Sequence, residues 1–482
     1  MSLSSALSIA YSGLVATSRS SEVVSNNIAN ALTEGYAKRG LDVSSRVLDG
    51  YGYGVAVEGI SRAADPRATA DRRAADAAYG RAADLGAGQQ LLADRLGDPE
   101  DPSGFAGRAR AFETALELAR DTPESDAARS GLLEAAKRFA QAFSDASDEV
   151  ATVRRDADAA IARQVDTVNA NLAEIEELNT RIRQLTVLEL DRSALMDARA
   201  GLIDEINTIT PVRIANREDG EVALYTTGGT VLIDGAAQTL DFTASPIVTA
   251  DMTVASGALS EITINGQALV TGAGGGRLDG GTLEAAFALR DYVGVEANAQ
   301  LDALAGDLMQ RLEAVDVDAG GAGLFTDGGA GYVAANEAGL AGRLTINAAA
   351  DPDQGGALFR LRDGLGAAAE GVAGDDTVLT ALTDAVKAVA PAPAASGIAG
   401  NHSVAGLAGE VAAVLQGNAA RAEQETGYRA GEQAARLTAE LSVTAVDSDA
   451  ELQRLLKIEQ NYAANARVIE TVDFLMRRLL EI

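Results

Sequence analysis

The side chains that could do chemistry are few. The sequence holds one histidine, His402, and no cysteine. Without thiols there can be no disulfide, no thiolate nucleophile and no Cys-ligated zinc. A lone imidazole beside the Pro/Ala/Gly stretch PAPAASGIAG (391–400) lacks the partners that a Ser-His-Asp arrangement or a histidine ligand set needs, so His402 is assigned no role. The glycine run GAGGGRLDGG (272–281) has no Lys-Ser/Thr after it to share a phosphate's charge, and reads as a turn where a strand gives way to a helix. Asp316 with Asp318, and Asp351 with Asp353, could hold calcium weakly, but neither pair has the spacing of a calcium loop closed by a bidentate Glu. Nothing selects a carboxylate pair for glycoside hydrolysis. The expectation is a protein that is not an enzyme and uses no cofactor or metal.

What the sequence does organise is its two ends. Leu3, Leu7, Ala10, Leu14, Thr17, Ser21, Val24 and Ile28 follow alternating steps of four and three, and Leu455, Ile458, Tyr462, Asn465, Ile469, Val472, Met476 and Leu479 do the same. That spacing keeps one stripe of a helix on one partner helix, so the ends are expected to lie side by side as a coiled coil, with Asn465 setting register at a cost in stability. Ile9, Val15 and Val23 at the start, and Leu456, Val468, Phe474, Leu475 and Leu480 at the finish, add apolar surface off the stripe. A helix apolar on more than one side needs more than one neighbour. A two-helix hairpin alone would be marginal, so the ends are expected to be mobile in a monomer and ordered in an assembly.

Charge divides in the same way. The chain of 482 residues has a formal net charge of -30, yet residues 1–33 hold only Arg19 and Glu22, and 451–482 hold five acids against five bases. The acidic excess opposes nucleic acid and anionic membranes. No run is apolar and long enough to span a bilayer. The N-terminus, with no basic residue before Arg19 and serines at 4, 5, 8 and 12, does not read as a secretory signal.

Between the ends the period changes several times. The first helix should stop at Asn30, with Gly35 turning the chain, and residues 46–62 read as a short hairpin. Helices are expected from Asp65 to Thr210. One starts at Thr122 with Pro123 in its first turn, a long one runs over about 147–184 with Asn179 interrupting its stripe, and another spans about 195–209. VRIAN, EVALYTT and TVLIDG, separated by Asp219-Gly220 and Gly228-Gly229, read as a meander, and Asn265-Gly266 as a hairpin turn. Helix returns at 282–315, residues 316–331 are loop, 391–400 are a linker, and 404–441 are helical. The fold class is therefore mainly α with a small β-rich insertion. The expected domains are an inner terminal pair (1–33 plus 442–482), a helical body (34–210 plus 283–441) and a β-rich outer insertion (211–282).

Asn26, Asn27, Ile28, Ala29, Asn30, Thr33, Gly35 and Tyr36, in EVVSNNIANALTEGY, together with the tail LQRLLKIEQNYAANARVIETVDFLMRRL, resemble the axial proteins of the bacterial flagellum, the rod, hook and junction family. GVAVEGISRAADP (54–66), VDTVNANLAEIEELNTRI, the segment LMDARAGLIDEINTITPVRIANREDGEVALYTTGGTVLIDG and the tail narrow the resemblance to the hook-associated protein 1 (FlgK) group. It extends over most of the chain and is loosest over 236–280 and 316–440. Where the family commonly has a polar residue then Arg after Tyr36, this chain has Ala37-Lys38-Arg39, which leaves Lys38 and Arg39 without a role.

The resemblance implies a structural adaptor between hook and filament, exported unfolded without a cleaved signal and placed outside the cell. It implies self-association in a helical tube, contact with hook protein and the next junction protein, and a C-terminal export chaperone. The rivals are a hook or distal-rod protein, for which helix content should fall below about a third, and a type III secreted effector or adhesin.

Overall fold

Two amphipathic stripes at the ends of the sequence become two long helices, and most of what lies between is helical too. The computed structural model describes residues 3–33, 35–48, 51–269 and 276–480. The chain is 63% helical, well above the third expected of a hook or distal-rod protein.

In chain order, α1 (Leu3–Ala29) leads into an antiparallel hairpin of β1 (Arg39–Leu48) and β2 (Tyr51–Arg62). Four helices follow: α2 (Pro66–Leu96), α3 (Phe105–Asp121), α4 (Asp126–Val187) and α5 (Ser193–Ile209). Strands β3 (Val212–Asn216), β4 (Val222–Thr226), β5 (Val231–Asp234) and β6 (Ala236–Ala237) form one antiparallel sheet in sequence order. A second small sheet contains β7 (Leu240–Asp241), β8 (Thr263–Ile264) and β9 (Gln267–Ala268). Then come α6 (Gly281–Ala288), a π-helical turn over Leu289–Val293 and α7 (Gly294–Glu313). Short elements follow: β10 (Phe325–Asp327), α8 (Leu340–Arg343), β11 (Leu344–Ile346), α9 (Arg360–Asp363), α10 (Thr377–Lys387), β12 (Ala390–Pro391) and β13 (Asn401–His402). The chain closes with α11 (Val404–Thr444) and α12 (Ser448–Leu480).

The contacts divide the chain into two units. The first comprises residues 1–78, 167–239 and 429–482, and the second 79–166 and 240–428. The terminal helices, the hairpin and the meander thus fall together, whereas the sequence placed them in three divisions. The reason is physical. Asn179, which breaks the apolar stripe of α4, is buried and bonds the first residue of the meander's second strand: its Nδ2 donates to Val222 O (2.9 Å) and its Oδ1 accepts from Val222 N (3.2 Å). Arg199 of α5 donates to the same Oδ1 (2.7 Å) and to Gly220 O (2.8 Å), and burial lowers its guanidinium to about 10. Arg72 pairs with Asp76 (2.5 Å), Asp204 (2.7 Å) and Glu440, tying α2 to α5 and α11.

The core of the second unit centres on Phe105, Phe112, Phe139, Phe143 and Phe325. Phe105 and Phe143 meet edge to face at 4.9 Å, and Phe112 and Phe325 at 5.3 Å. Leu301, Leu304 and Leu308 of α7 are fully buried in the same cluster. Asp302, on the same helix, accepts from Gly339 N (2.7 Å) and Ala341 N (2.8 Å), and burial pushes its carboxyl up to about 6 from the ordinary 3.8. A carboxyl whose folded value is raised binds its proton more tightly in the folded state, so stability falls as pH rises from about 4 to 6. Asp302→Asn is expected to remove that slope, on the order of 2 to 3 kcal/mol, in denaturant unfolding followed across that range.

Four local readings are corrected. Thr122 does not open a helix: its amide and hydroxyl both donate to Leu118 O, closing α3. The next helix starts at Asp126, where Ser125 Oγ accepts from Ala128 N, and runs unbroken through the stretch expected to precede a separate helix. The helix expected over 282–315 is interrupted by the π turn, set where Arg290 is fully buried. The composition-based linker 391–400 is packed: Ala390 and Pro391 pair with His402 and Asn401, and Ser396 is buried. The meander and the Asn265-Gly266 turn are as expected. Of the glycine run, residues 272–275 lie outside the described residues.

Candidate functional site: the Asn27 hub and the terminal helix pair

The first unit is organised around one buried amide. Asn27 sits in the last turns of α1 with no exposure. Its Nδ2 donates to Arg39 O (2.9 Å) and to Glu451 Oε2 (3.0 Å), while its Oδ1 accepts from Tyr36 OH (2.9 Å) and Arg39 N (2.9 Å). Two donors and two acceptors make four bonds, the full capacity of an asparagine. Those bonds join α1, the following loop, the start of β1 and the first turn of α12.

Around it lies a charged shell. Glu451, 1% exposed, is met by Lys38 Nζ at 3.4 Å, and Lys38 N donates to Thr444 O (2.9 Å) at the end of α11. Arg39 Nη2 and Arg62 Nε meet the two oxygens of Asp197 on α5 at 3.1 and 2.5 Å. The Arg39 guanidinium also lies 4.8 Å from the Tyr36 ring centre, and burial pushes the Tyr36 hydroxyl above its ordinary value. Lys38 and Arg39, which the sequence left without a role, thus carry two of the hub's four ion-pair links, the others being Arg62 with Asp197 and Arg454 with Glu451. Glu451 and Asp197 were not singled out from sequence. Their only signal was that Glu451 follows Asp447, whose Oδ1 caps α12 by accepting from Asp449 N and Ala450 N.

The other motif residues make the turn that delivers Tyr36 and Arg39. Asn26 is exposed and its carbonyl accepts from Asn30 N and Nδ2. Thr33 Oγ1 donates to Asn30 Oδ1 (3.2 Å), Tyr36 N donates to Thr33 O, and Gly35 has φ +77°, a conformation that favours glycine. Ile28 is half-buried and Ala29 exposed.

Helices α1 and α12 pack on each other antiparallel, since Asn27 meets Glu451 while Gly13 meets Asn465. Of the seam residues, Ala10, Val24, Ile458 and Val472 are buried. Leu3, Leu14, Ile28, Leu455, Asn465 and Ile469 are half-buried, and Leu7, Tyr462, Met476 and Leu479 are exposed. Val23, off the stripe, is buried as well, because the β1–β2 hairpin packs on α1 from another side. Ser12 Oγ bonds that hairpin by accepting from Val55 N (3.1 Å).

A Cβ on Gly13 would lie 2.8 Å from Asn465 Nδ2, so the glycine makes room for the amide. Gly13→Val is expected to loosen the pair by about 1 to 3 kcal/mol, and Asn465→Ala in the same chain to recover most of that, read by denaturant unfolding.

Three stretches of the chain match known protein families. The model of the flagella basal body rod protein matches residues 7–36, that of the flagellar hook-associated protein FlgK helical domain matches 93–331, and that of the flagellar basal body rod FlgEFG protein C-terminal matches 440–482. Together these matches cover more than half of the chain. These matches support identification of the chain with the FlgK group of flagellar axial proteins. Flagellar hook-associated protein 1 of Salmonella typhimurium is 27% identical over 245 residues, covering 48% of this chain and 43% of the relative. The namesakes of Escherichia coli and Bacillus subtilis are 26% and 23% identical, covering 44% and 47% of their own lengths. The chain therefore spans less than half the length of the curated FlgK relatives it matches. The flagellar hook junction protein FlgK of Burkholderia pseudomallei aligns with a TM-score of 0.44 at 21% identity, over 54% of this chain and 47% of that one. The first and last family matches coincide with α1 and its motif turn, and with α12.

Proposed function

We propose that this chain is a structural adaptor of the bacterial flagellum that assembles at the hook tip and joins hook to filament. The observation that carries the reading is the apolar surface left on the terminal pair after its two helices have met. Tyr11 is 63% exposed, Phe474 58% and Leu479 60%, beside Leu456, Tyr462 and Val468. A solvated pair of helices has no use for such a surface, whereas copies arranged around an axis would cover it. In this reading α1 and α12 form the coiled-coil inner layer of a tube, and the seam residues Leu3, Leu7, Leu14, Val24, Ile28, Leu455, Ile458, Tyr462, Ile469, Val472, Met476 and Leu479 hold that layer.

The partners are further copies of the chain, hook protein below and the next junction protein above, with an export chaperone covering the C-terminal segment beforehand. The protein reaches the outside of the cell without a cleaved signal. Among the described residues no helix is long and apolar enough to cross a membrane, in keeping with this route.

Deleting residues 471–482 is expected to leave the second unit folded, read by circular dichroism, and to abolish addition to hook ends, read in micrographs of purified hooks incubated with the protein. Normal filaments from cells carrying that deletion would overturn the reading.

A further inference from the structure

The two units differ in what they offer a neighbour. Residues 79–166 and 240–428 contain 41 acids against 19 bases, a net charge of -22, while the other unit contains 29 against 21, a net charge of -8. Apolar exposure runs the opposite way. Among the described residues, 26 of the 36 large apolar side chains that are exposed belong to the first unit. Attraction is thus concentrated in one unit and repulsion in the other, within one chain.

We infer that self-association of this protein is gated by ionic strength, with the acidic second unit as the gate and a second copy of the chain as the occupant of the apolar faces on the first. The inference rests on the assembly reading above. A second copy fits those faces because the terminal segments are electrically balanced: with five acids and five bases over 451–482, and one of each over 1–33, two copies meet there without net repulsion. Every such contact also brings two bodies of charge -22 into one complex. At low salt their fields extend over tens of ångströms, about 30 Å at 0.01 M, and at 1 M they are screened within about 3 Å. Apolar contact changes far less over that range. The balance therefore tips toward association as salt rises, and like-charged second units are kept from sticking to one another sideways.

The test is sedimentation velocity of the full chain from 20 to 500 mM NaCl, on three proteins. In the unaltered chain the association constant is expected to rise at least about tenfold across the range. In a variant with six exposed acids of the second unit neutralised (Glu124→Gln, Asp148→Asn, Glu261→Gln, Glu296→Gln, Asp384→Asn and Glu410→Gln) association should set in at clearly lower salt. A variant with Phe474→Ser and Leu475→Ser should stay monomeric throughout. Association that ignores salt, or a neutralised variant that follows the unaltered chain, would overturn the gate and leave the assembly reading standing. A chain that stays monomeric at every salt concentration would overturn both.

Discussion

Replacing Asn27 by Leu is expected to cost the first unit about 3 kcal/mol or more and to free the end of α1 from α12. The change removes four hydrogen bonds at once, and each partner left behind is buried or half-buried. Tyr36 OH and Arg39 N lose their acceptor, Arg39 O loses its donor, and Glu451 loses the amide at 3.0 Å. The carboxylate is the costly one, because at 1% exposure it keeps only Lys38 and, at 4.0 Å, Arg454. Asn27→Asp makes a sharper test. It keeps the two acceptors but sets a carboxylate against Glu451, so it should also be strongly destabilised, and recover as pH falls and one of the two acids takes up a proton. Hydrogen exchange is the direct readout. Amides of the last turns of α1, of the start of β1 and of the first turn of α12 should accelerate together, whereas those near Gly13 and Asn465 should change less. If the three segments respond separately, the amide is not what joins them.

The hub also shows what sequence reasoning could and could not reach. The periodicity of α1 and α12 was legible because helix faces repeat every three or four residues, and the meander because Asp219-Gly220 and Gly228-Gly229 mark turns between alternating strands. The motif around Asn27 stood out as a resemblance, but spacing alone does not distinguish the buried Asn27 from the exposed Asn26 beside it. Nor does it reveal that an amide can be fully satisfied by residues 9, 12 and 424 positions away. Asn179 teaches the same lesson. It read as a flaw in an apolar stripe, and in the fold it bonds both backbone groups of Val222. Thr122 misled because a hydroxyl next to Pro serves equally at either end of a helix, and here it bonds backward to Leu118. The stretch 391–400 misled because Pro, Ala and Gly report backbone preference and say nothing of burial.

Apolar and polar groups divide the work of the terminal pair. Val24, Ile458 and Val472 supply adhesion, but apolar stripes with a heptad period tolerate sliding by a turn or more. The contacts that do not tolerate it are Asn27 with Glu451 and Gly13 with Asn465, two points fourteen residues apart on each helix. A one-heptad slip would part Glu451 from the Asn27 amide and bring the branched side chain of Ile458 or Val472 to Gly13 in place of Asn465. Register is therefore held by the polar residues and the glycine, which leaves the outer apolar faces free for neighbours.

The second unit holds the other large effect, at Arg290. Its guanidinium is fully buried, bonds Asp158 Oδ1 at 2.6 Å and both oxygens of Asp291 at 2.8 Å, and lies 4.9 Å from the Phe287 ring centre. Arg154, equally buried, donates to the carbonyls of Arg290 (2.8 Å), Thr249 (2.8 Å) and Met252 (2.6 Å), and Asp158 Oδ2 accepts from Ser245 N (2.6 Å). The long segment between β7 and β8 is thus fastened to α4 and the π turn by two arginines and one aspartate. Arg290→Met should lower stability by about 3 to 5 kcal/mol, since it strands the Asp158 carboxylate with one backbone amide in a dry site. Adding Asp158→Leu should restore at least half of the loss, because a buried ion pair replaced by apolar side chains of similar size is tolerated far better than half a pair. Thermal unfolding of the two variants decides the matter. If the double variant is no more stable than Arg290→Met alone, the stability resides in the bonds that Arg290 donates to Asp291 and, at 3.1 Å, to Ser260 O rather than in its pairing with Asp158, and the segment is held by its carbonyls.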